Sequence, residues 1–336
     1  MDRLRGLLRL VSDFTRTEQG RRLEKIVGTA LLVGSLLFLS AILVRSWPQI
    51  APYLGRMNGW LLVAGQACTL LALLLGGVMW SLIQAAFGLG FGWREGIVIH
   101  LVSGITKYIP GYAWQYMSKA YLSRKRGASP KRITMAMLTE FILLLAGGLI
   151  AAVPWGMLAP RLHRSLPLTL PLWGWPLIGV MALAVVTTWN ATATRLVAGD
   201  HRRAGQGPLW SALGAAVVGW MAVAAAAWLM SRALYPVSLG DFPQHVIALV
   251  VSGIVSLLVI IVPSGLGVRE MTLALLLTGT LPLTLGVMVS ILVRLSVVLG
   301  ELMGLGVVLR LGLYRLRAPE RGEEVPQVER GGSKGK

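Results

Sequence analysis

Long uninterrupted apolar runs constrain this chain more than any other feature of its sequence. Six runs, at residues 26–44, 60–87, 133–155, 172–189, 209–234 and 283–309, each reach about 18 residues or more, the length with which an α-helix crosses ~30 Å of hydrocarbon. The runs are continuous and lack the alternation of membrane-barrel strands. The sequence therefore predicts an all-α, polytopic helical membrane protein with about six full transmembrane helices.

Two further apolar regions, about residues 96–122 and 244–279, are interrupted by proline and glycine. The residues at the breaks are Pro110 and Gly111 in the first region, and Pro263, Ser264, Gly265 and Gly267 in the second. Each region can form a re-entrant hairpin of two half-helices or two short crossings, and both alternatives return the chain to its starting side. Broken backbone at this depth is tolerated only where protein or water surrounds it.

The net charge of +18 would favour nucleic acid as the partner of a soluble protein, but here the basic residues are concentrated in the connections between apolar runs. We therefore expect no nucleic-acid partner. Most of the 32 lysines and arginines fall in connections on one side, including residues 119–132. The opposite connections hold only Arg45, Arg56, Arg161, Arg164 and Arg232. The positive-inside rule then predicts a multi-pass membrane protein with both termini cytoplasmic.

With this orientation, the order helix, helix, broken region, helix occurs twice and enters from opposite faces. Such an arrangement is typical of an inverted repeat with a binding site near the midplane. The similar stretches LVSGI at 101–105 and VVSGI at 250–254, each preceding a break, favour this interpretation. We expect one transmembrane domain over residues 26–317, with halves at about 26–158 and 170–317. Residues 1–25 are expected to form a cytoplasmic interfacial amphipathic helix, and residues 318–336 a disordered cytoplasmic tail.

Six ionisable residues lie within apolar regions, where a charge near the bilayer centre costs about 2.5–3.5 kcal/mol on insertion scales. They are Lys107, Glu140, Arg269, Glu270, Arg294 and Glu301. In one interpretation these charges pair with one another and hold the helices together. In the other, the three cations line a cavity that binds a lipid head group, and the three carboxylates orient the cations.

The positions of four of these charges favour the second interpretation, a cavity that binds a lipid head group. Arg269 and Glu270 follow a break, where a half-helix would begin and its unpaired N–H groups would attract an anion. The arginine fork matches a phosphate. Arg294 and Glu301 share one helical face seven residues apart, so each needs a partner on another helix. We find no nucleophile with a base and no metal-ligand spacing, and we expect no enzyme activity, no metal and no cofactor.

Three stretches carry a resemblance to a known family: KYIPGYAWQYMSKAYLSRKRG at 107–127, VPSGLGVREMTLALLL at 262–277 and ILVRLSVVLGELMG at 291–304. They resemble the transmembrane, flippase-like region of bacterial lysylphosphatidylglycerol synthases and its stand-alone membrane relatives. The most specific part of the resemblance is carried by Pro263, Gly265, Leu266, Gly267, Arg269 and Glu270. Arg294 corresponds to an arginine of the family's last helix. Many relatives have two glycines after the proline, whereas this chain has Ser264 before Gly265.

In the lysylphosphatidylglycerol synthases, this membrane region moves an aminoacylated lipid between leaflets, and a separate soluble domain synthesises the lipid. No segment of the present sequence corresponds to that soluble domain. The resemblance therefore implies a lipid translocase whose substrate is a membrane phospholipid or a lipid-linked molecule. The alternative is a non-catalytic membrane partner of a glycosyltransferase or of a lipid-modifying or lipid-synthesising enzyme.

Overall fold

The computed structural model describes residues 57–108, 114–158, 171–197, 206–258 and 267–311, with a few isolated residues from 44 to 55. Within these ranges the chain forms α1 Gly59–Ala86, α2 Trp93–Ile105, α3 Trp114–Arg124, α4 Pro130–Leu158, α5 Gly174–Val197, α6 Gly207–Leu234, α7 Phe242–Leu258, α8 Val268–Leu276 and α9 Leu283–Arg310. Short 3₁₀ helices at Thr106–Tyr108 and Leu239–Asp241 follow α2 and precede α7. The described ranges contain no β-strand, so the all-α prediction is confirmed there.

Six of the described helical stretches are long and apolar enough to cross a membrane, which indicates a multi-pass membrane protein. They are Gly59–Ala86, Pro130–Leu158, Gly174–Val197, Gly207–Leu234, Leu239–Leu257 and Leu283–Arg310. Five coincide with predicted runs. The predicted first run, residues 26–44, lies outside the described residues except for its last residue, as do the amphipathic helix predicted at 1–25 and the tail predicted at 318–336.

The two arms of the second interrupted region differ in length more than the sequence predicts. Its first arm, α7, has 17 residues and is continuous with the preceding 3₁₀ helix, so the two together are long enough to cross. Its second arm, α8, has nine residues, or about 13 Å at ~1.5 Å per residue, which is less than half of the hydrocarbon thickness. The two arms of this region therefore differ: the first, together with its 3₁₀ helix, is long enough to cross the membrane, and the second is not.

Polar residues at the start of α7 are compatible with burial because each is hydrogen-bonded. His245 Nδ1 lies 2.9 Å from the Asp241 carbonyl oxygen, and His245 Nε2 lies 2.9 Å from Ser231 Oγ. The side-chain amide of Gln244 donates to the Leu276 carbonyl at 2.8 Å. These bonds stabilise the polar start of α7 and attach it to α6 and α8. They explain why the span Leu239–Leu257 is the most buried of the six candidates although it is the least apolar.

The first interrupted region forms two shorter helices, α2 with 13 residues and α3 with 11. Its break residues, Pro110 and Gly111, lie outside the described residues, as do Pro263, Ser264 and Gly265 of the second break. Gly267 is described, and its φ of 82° is a left-handed conformation that favours glycine. This conformation lets the chain enter α8 directly at Val268.

Small residues allow the helices to approach closely around the interior. A Cβ added at Gly147 of α4 would lie 2.8 Å from the Cβ of Ala216 on α6. A Cβ added at Gly286 of α9 would lie 2.9 Å from the Ala274 carbonyl oxygen of α8. Close backbone contact of this kind is the usual way in which membrane helices gain packing energy. It brings α4 close to α6 and α8 close to α9, and these four helices contribute to the site described next.

Candidate functional site

Both interrupted segments border the same cavity, which has a volume of about 340 Å³. Lys107 and Gln115 are the lining residues on the two sides of the first undescribed break, residues 109–113. Leu257 and Arg269 occupy the corresponding positions around the second undescribed break, residues 259–266. Segments that are far apart in sequence therefore meet at one place, and each contributes a basic residue to it.

The cavity wall is amphipathic. Its described polar and charged members are Thr69, Lys107, Gln115, Tyr116, Ser256, Arg269 and Arg294. Most of the remaining wall is apolar and comes from α1, α4, α6, α7 and α9, with Trp220 of α6 as its largest side chain. The indole of Trp220 donates to the Leu144 carbonyl of α4 at 2.9 Å, which fixes the orientation of its ring. A wall with a basic part and an apolar part suits a ligand that has a charged group joined to hydrocarbon.

The three basic residues predicted at the site all line this cavity, and the described part of its lining contains no aspartate or glutamate. Lys107 comes from the 3₁₀ helix after α2, Arg269 from the start of α8, and Arg294 from the middle of α9. Two of the predicted carboxylates, Glu270 and Glu301, lie one layer behind the wall. The cavity surface is therefore positive, while the buried negative charge lies behind it.

Arg294 is held by Glu270 from the neighbouring short helix. Its guanidinium donates from Nη1 to Glu270 Oε1 at 3.0 Å, and the other carboxylate oxygen, Oε2, accepts from the Gly267 backbone N–H at 2.7 Å. Glu270 therefore caps the helix on which it lies and orients an arginine of α9. The Glu270 carboxylate therefore occupies the backbone N–H of Gly267, at the start of α8, where the sequence predicts that the anion of a ligand would bind.

Lys107 forms the second ion pair, with Glu301 of α9. Its ammonium donates to Glu301 Oε1. Glu301 does not pair with Arg294 on its own helix, in agreement with the partner requirement that follows from their seven-residue spacing. The side chain of Glu301 is only 5% exposed, whereas that of Lys107 is 27% exposed. The lysine is thus the member of the pair that faces the cavity.

Glu140, the third predicted carboxylate, lies in a separate cluster and does not orient the cavity cations. Its two oxygens accept from Lys119 Nζ at 2.6 and 2.8 Å. His100 Nδ1 lies 3.3 Å from the same ammonium and 3.4 Å from Glu140 Oε1. The ammonium also lies 4.2 Å from the centre of the Trp80 ring. Neither Glu140 nor Lys119 belongs to the described cavity lining.

Sequence reasoning missed Lys119 because it was assigned to the basic connection at residues 119–132. In the structure it lies within α3 and is 1% exposed. A usable signal existed, since residue 119 also falls inside the apolar region at 96–122 and is separated by four residues from the next basic residue. Counting it among the intramembrane charges would have provided Glu140 with a candidate partner.

A hydrogen-bonded polar cluster next to the cavity was also missed. Ser296 of α9 donates to Gln66 Oε1 of α1 at 2.8 Å, and its hydroxyl lies 2.8 Å from that of Thr69. The Gln66 amide in turn donates to the Ser296 carbonyl at 3.2 Å. Neutral polar residues in apolar runs carry little sequence signal, although here they join α1 to α9 beside Thr69, a cavity residue.

The arrangement is chemically suited to holding an anion. Lysine and arginine provide several N–H donors in a site whose wall is otherwise mostly apolar, which strengthens each charge-assisted hydrogen bond. The described residues contain no group of His, Cys, Asp and Glu side chains arranged to hold a metal ion. Comparison with protein-family models gives no match, and comparison with curated proteins gives no significant match.

Proposed function

We propose that the protein is a flippase-like lipid translocase of the bacterial cytoplasmic membrane, which binds an anionic or zwitterionic lipid head group in this cavity. The observation that carries the proposal is that Lys107, Arg269 and Arg294 line one cavity at which both interrupted segments meet. The substrate is a membrane phospholipid or a lipid-linked molecule. The resemblance to the membrane region of lysylphosphatidylglycerol synthases supports the same function.

The energetic problem in moving a lipid between leaflets is desolvation of its head group. A charge that leaves water for an apolar medium loses many hydrogen bonds, and only compensating charges and donors offset that cost. The three cations of the cavity offer this compensation to a phosphate. The volume of about 340 Å³ is at the lower end of the usual ~300–1,000 Å³ for ligand sites, which suits a head group while the acyl chains remain in the bilayer.

The topology belongs to the proposal as well. We expect each interrupted segment to turn inside the membrane, so that the two turns meet from opposite faces in the manner of an inverted repeat. The short helices α3 and α8 support this expectation, because neither is long enough to cross alone. Replacing Cys68, the only cysteine, and introducing Gly111→Cys or Ser264→Cys gives a direct test. Strong labelling of the two positions from opposite sides of the membrane would contradict turns that meet inside.

Transport is tested by reconstituting the full chain into vesicles that contain phosphatidylglycerol with a fluorescent acyl chain, and by following chemical quenching of the outer-leaflet probe. We expect the wild type to exchange the lipid faster than protein-free vesicles do. Arg269→Gln should slow exchange by about tenfold to a hundredfold, because a hydrogen bond to a charged group contributes about 1.5–3 kcal/mol. Arg94→Gln is the control, since Arg94 is exposed on α2 and lies outside the described cavity lining.

A second pair of variants on α6 tests the cavity without changing charge. Gly219 lines the cavity, and a Cβ added there meets no atom closer than 3.8 Å. Gly219→Leu should therefore fill part of the cavity and reduce exchange. Gly214→Leu adds the same side chain five residues earlier, at an exposed position with nothing within 4 Å. Exchange that is equally fast in all variants, or no faster than in empty vesicles, would refute the translocase proposal.

A further inference from the structure

Glu301 has one carboxylate oxygen that the described protein does not satisfy. Oε1 accepts from Lys107, whereas Oε2 is buried and has no hydrogen-bond partner among the described residues. The whole residue is 4% exposed. A buried carboxylate oxygen without a donor is rare in proteins, because such an atom loses its water and gains nothing in return. It is therefore a position at which a proton can be added without breaking a described hydrogen bond.

Lys107 is in a position to serve two anions. Its ammonium pairs with Glu301 behind the wall, and its side chain also lines the cavity in which we propose that a head group binds. An anion in the cavity would compete with Glu301 for this ammonium. The ammonium has three N–H donors, so a phosphate can bind it beside Glu301, but the single positive charge of Lys107 must then compensate two anions instead of one.

The surroundings of Glu301 provide little replacement for Lys107. On α2, Gly104 faces the carboxylate, and a Cβ added there would lie 3.5 Å from Oε1. One turn earlier on α2, His100 is hydrogen-bonded in the cluster with Lys119 and Glu140. On α1, the amide of Gln66 is bonded to Ser296. The other cations around the cavity are Arg294, which pairs with Glu270, and Arg269 at the start of α8.

We infer that Glu301 is a proton-binding site that is coupled to anion binding in the cavity. This inference rests on the proposed function of the cavity. When the head-group phosphate takes the ammonium of Lys107, the buried carboxylate loses its compensating charge and takes a proton from water on Oε2. The positive charge of Lys107 is then balanced by the phosphate, and Glu301 is neutral. Binding of each monoanionic head group thus brings up to one proton into the protein.

Linkage fixes the direction of the pH dependence. If anion binding is accompanied by proton uptake, protons must in turn strengthen anion binding by the same free energy. The affinity for the anion should therefore be high at low pH and should fall by up to about tenfold per pH unit wherever one proton is taken up. The proton gradient across the membrane would then bias the side on which the head group binds.

The experiment measures protons directly, with the full chain in detergent and short-chain phosphatidylglycerol as the probe. Its phosphodiester keeps one negative charge across the tested range, so the probe itself takes up no proton. Titration calorimetry at about pH 5.5 to 8.5, in two buffers that differ in ionisation enthalpy, gives the number of protons taken up on binding. We expect a value approaching one for the wild type in part of this range, and a value near zero for Glu301→Gln.

The affinities provide a second readout. Binding by the wild type should weaken with rising pH, whereas binding by Glu301→Gln, which needs no proton, should be nearly independent of pH. Glu95→Gln is the matched control, because Glu95 pairs with Arg126 on another part of the surface and should leave the wild-type proton count unchanged. If Glu301→Gln does not fold, the wild-type proton count still decides.

The outcomes separate the two proposals. Phosphatidylglycerol that binds to the wild type without proton uptake at any pH overturns the role of Glu301 and leaves the head-group site intact. Equal proton uptake by the wild type and Glu301→Gln also overturns it. No binding of phosphatidylglycerol at any pH overturns both the head-group site and the inference that rests on it.

Discussion

Removing one partner of the Lys119–Glu140 ion pair should destabilise the protein far more than removing both. Lys119 is 1% exposed, its ammonium contacts both oxygens of Glu140, and the Trp80 ring lies 4.2 Å away. The pair joins α3 to α4, and His100 attaches it to α2. We choose Lys119→Met, Glu140→Leu and the double variant, because methionine and leucine are close in size to the side chains that they replace.

The expected magnitudes follow from burial. Lys119→Met leaves the Glu140 carboxylate with His100 as its remaining neighbour in the cluster, and breaking a buried ion pair in this way costs about 3–5 kcal/mol. Glu140→Leu should cost a similar amount, because the ammonium keeps only the Trp80 face and His100. The double variant removes both charges, so its cost is the lost hydrogen bonding of His100 to the pair, about 1 kcal/mol in the free energy of unfolding. We therefore expect a coupling free energy of at least about 5 kcal/mol between the two positions.

The free energy of unfolding can be measured for all four proteins in mixed micelles with increasing denaturing detergent, monitored by far-ultraviolet circular dichroism. The same preparations should be tested for lipid exchange in vesicles, where the double variant should stay within about twofold of the wild type, since neither residue belongs to the described cavity lining. A double variant that is no more stable than the single variants would refute the reasoning. Loss of exchange in a stable double variant would place Glu140 at the ligand site after all.

Two further stability changes follow from single buried residues. Asn190 of α5 is 1% exposed, and neither the nitrogen nor the oxygen of its side-chain amide has a hydrogen-bond partner among the described residues. Asn190→Leu should therefore stabilise the protein by about 1–3 kcal/mol and raise its thermal midpoint in detergent. An unchanged or lower midpoint would contradict this. Gly147→Leu places its Cβ 2.8 Å from that of Ala216 and should lower stability by about 1–3 kcal/mol, whereas the control Gly214→Leu, where nothing lies within 4 Å, should not.

The sequence predicted the long helices well because a single physical requirement determines them. A helix that crosses hydrocarbon needs enough consecutive apolar residues, and this is visible without knowledge of any neighbour. The short helices and the start of α7 were harder to predict. The start of α7 carries Gln244 and His245, which lower its apparent apolarity, and only their bonds to Leu276, Asp241 and Ser231 make a buried helix start there possible. Those partners lie on other segments, so a local pattern could not reveal them.

The same distinction separates the predicted from the missed parts of the candidate site. Lys107, Arg269 and Arg294 were identifiable because each is a charge in an apolar region. Which carboxylate accompanies which cation depends on helix positions, so the sequence could group Glu140 with Glu270 and Glu301 although only the latter two lie behind the cavity. Lys119 was assigned to a connection because it precedes the basic run at residues 124–132, and the boundary of a short helix is the least certain part of a sequence interpretation.

The structure therefore makes the two early interpretations of the buried charges compatible. Pairing and ligand binding exclude each other only if a paired cation is fully enclosed, as Lys119 is. Lys107 and Arg294 are paired on one side and border the cavity on the other. Such a pair keeps its cation in place while the cavity is empty, and it can share that cation with an anion at lower cost than exposing a new charge would require. Glu270 is further fixed by the Gly267 N–H, whereas Glu301 Oε2 has no partner among the described residues. The Lys107–Glu301 pair is for that reason the one we expect to respond when the cavity fills.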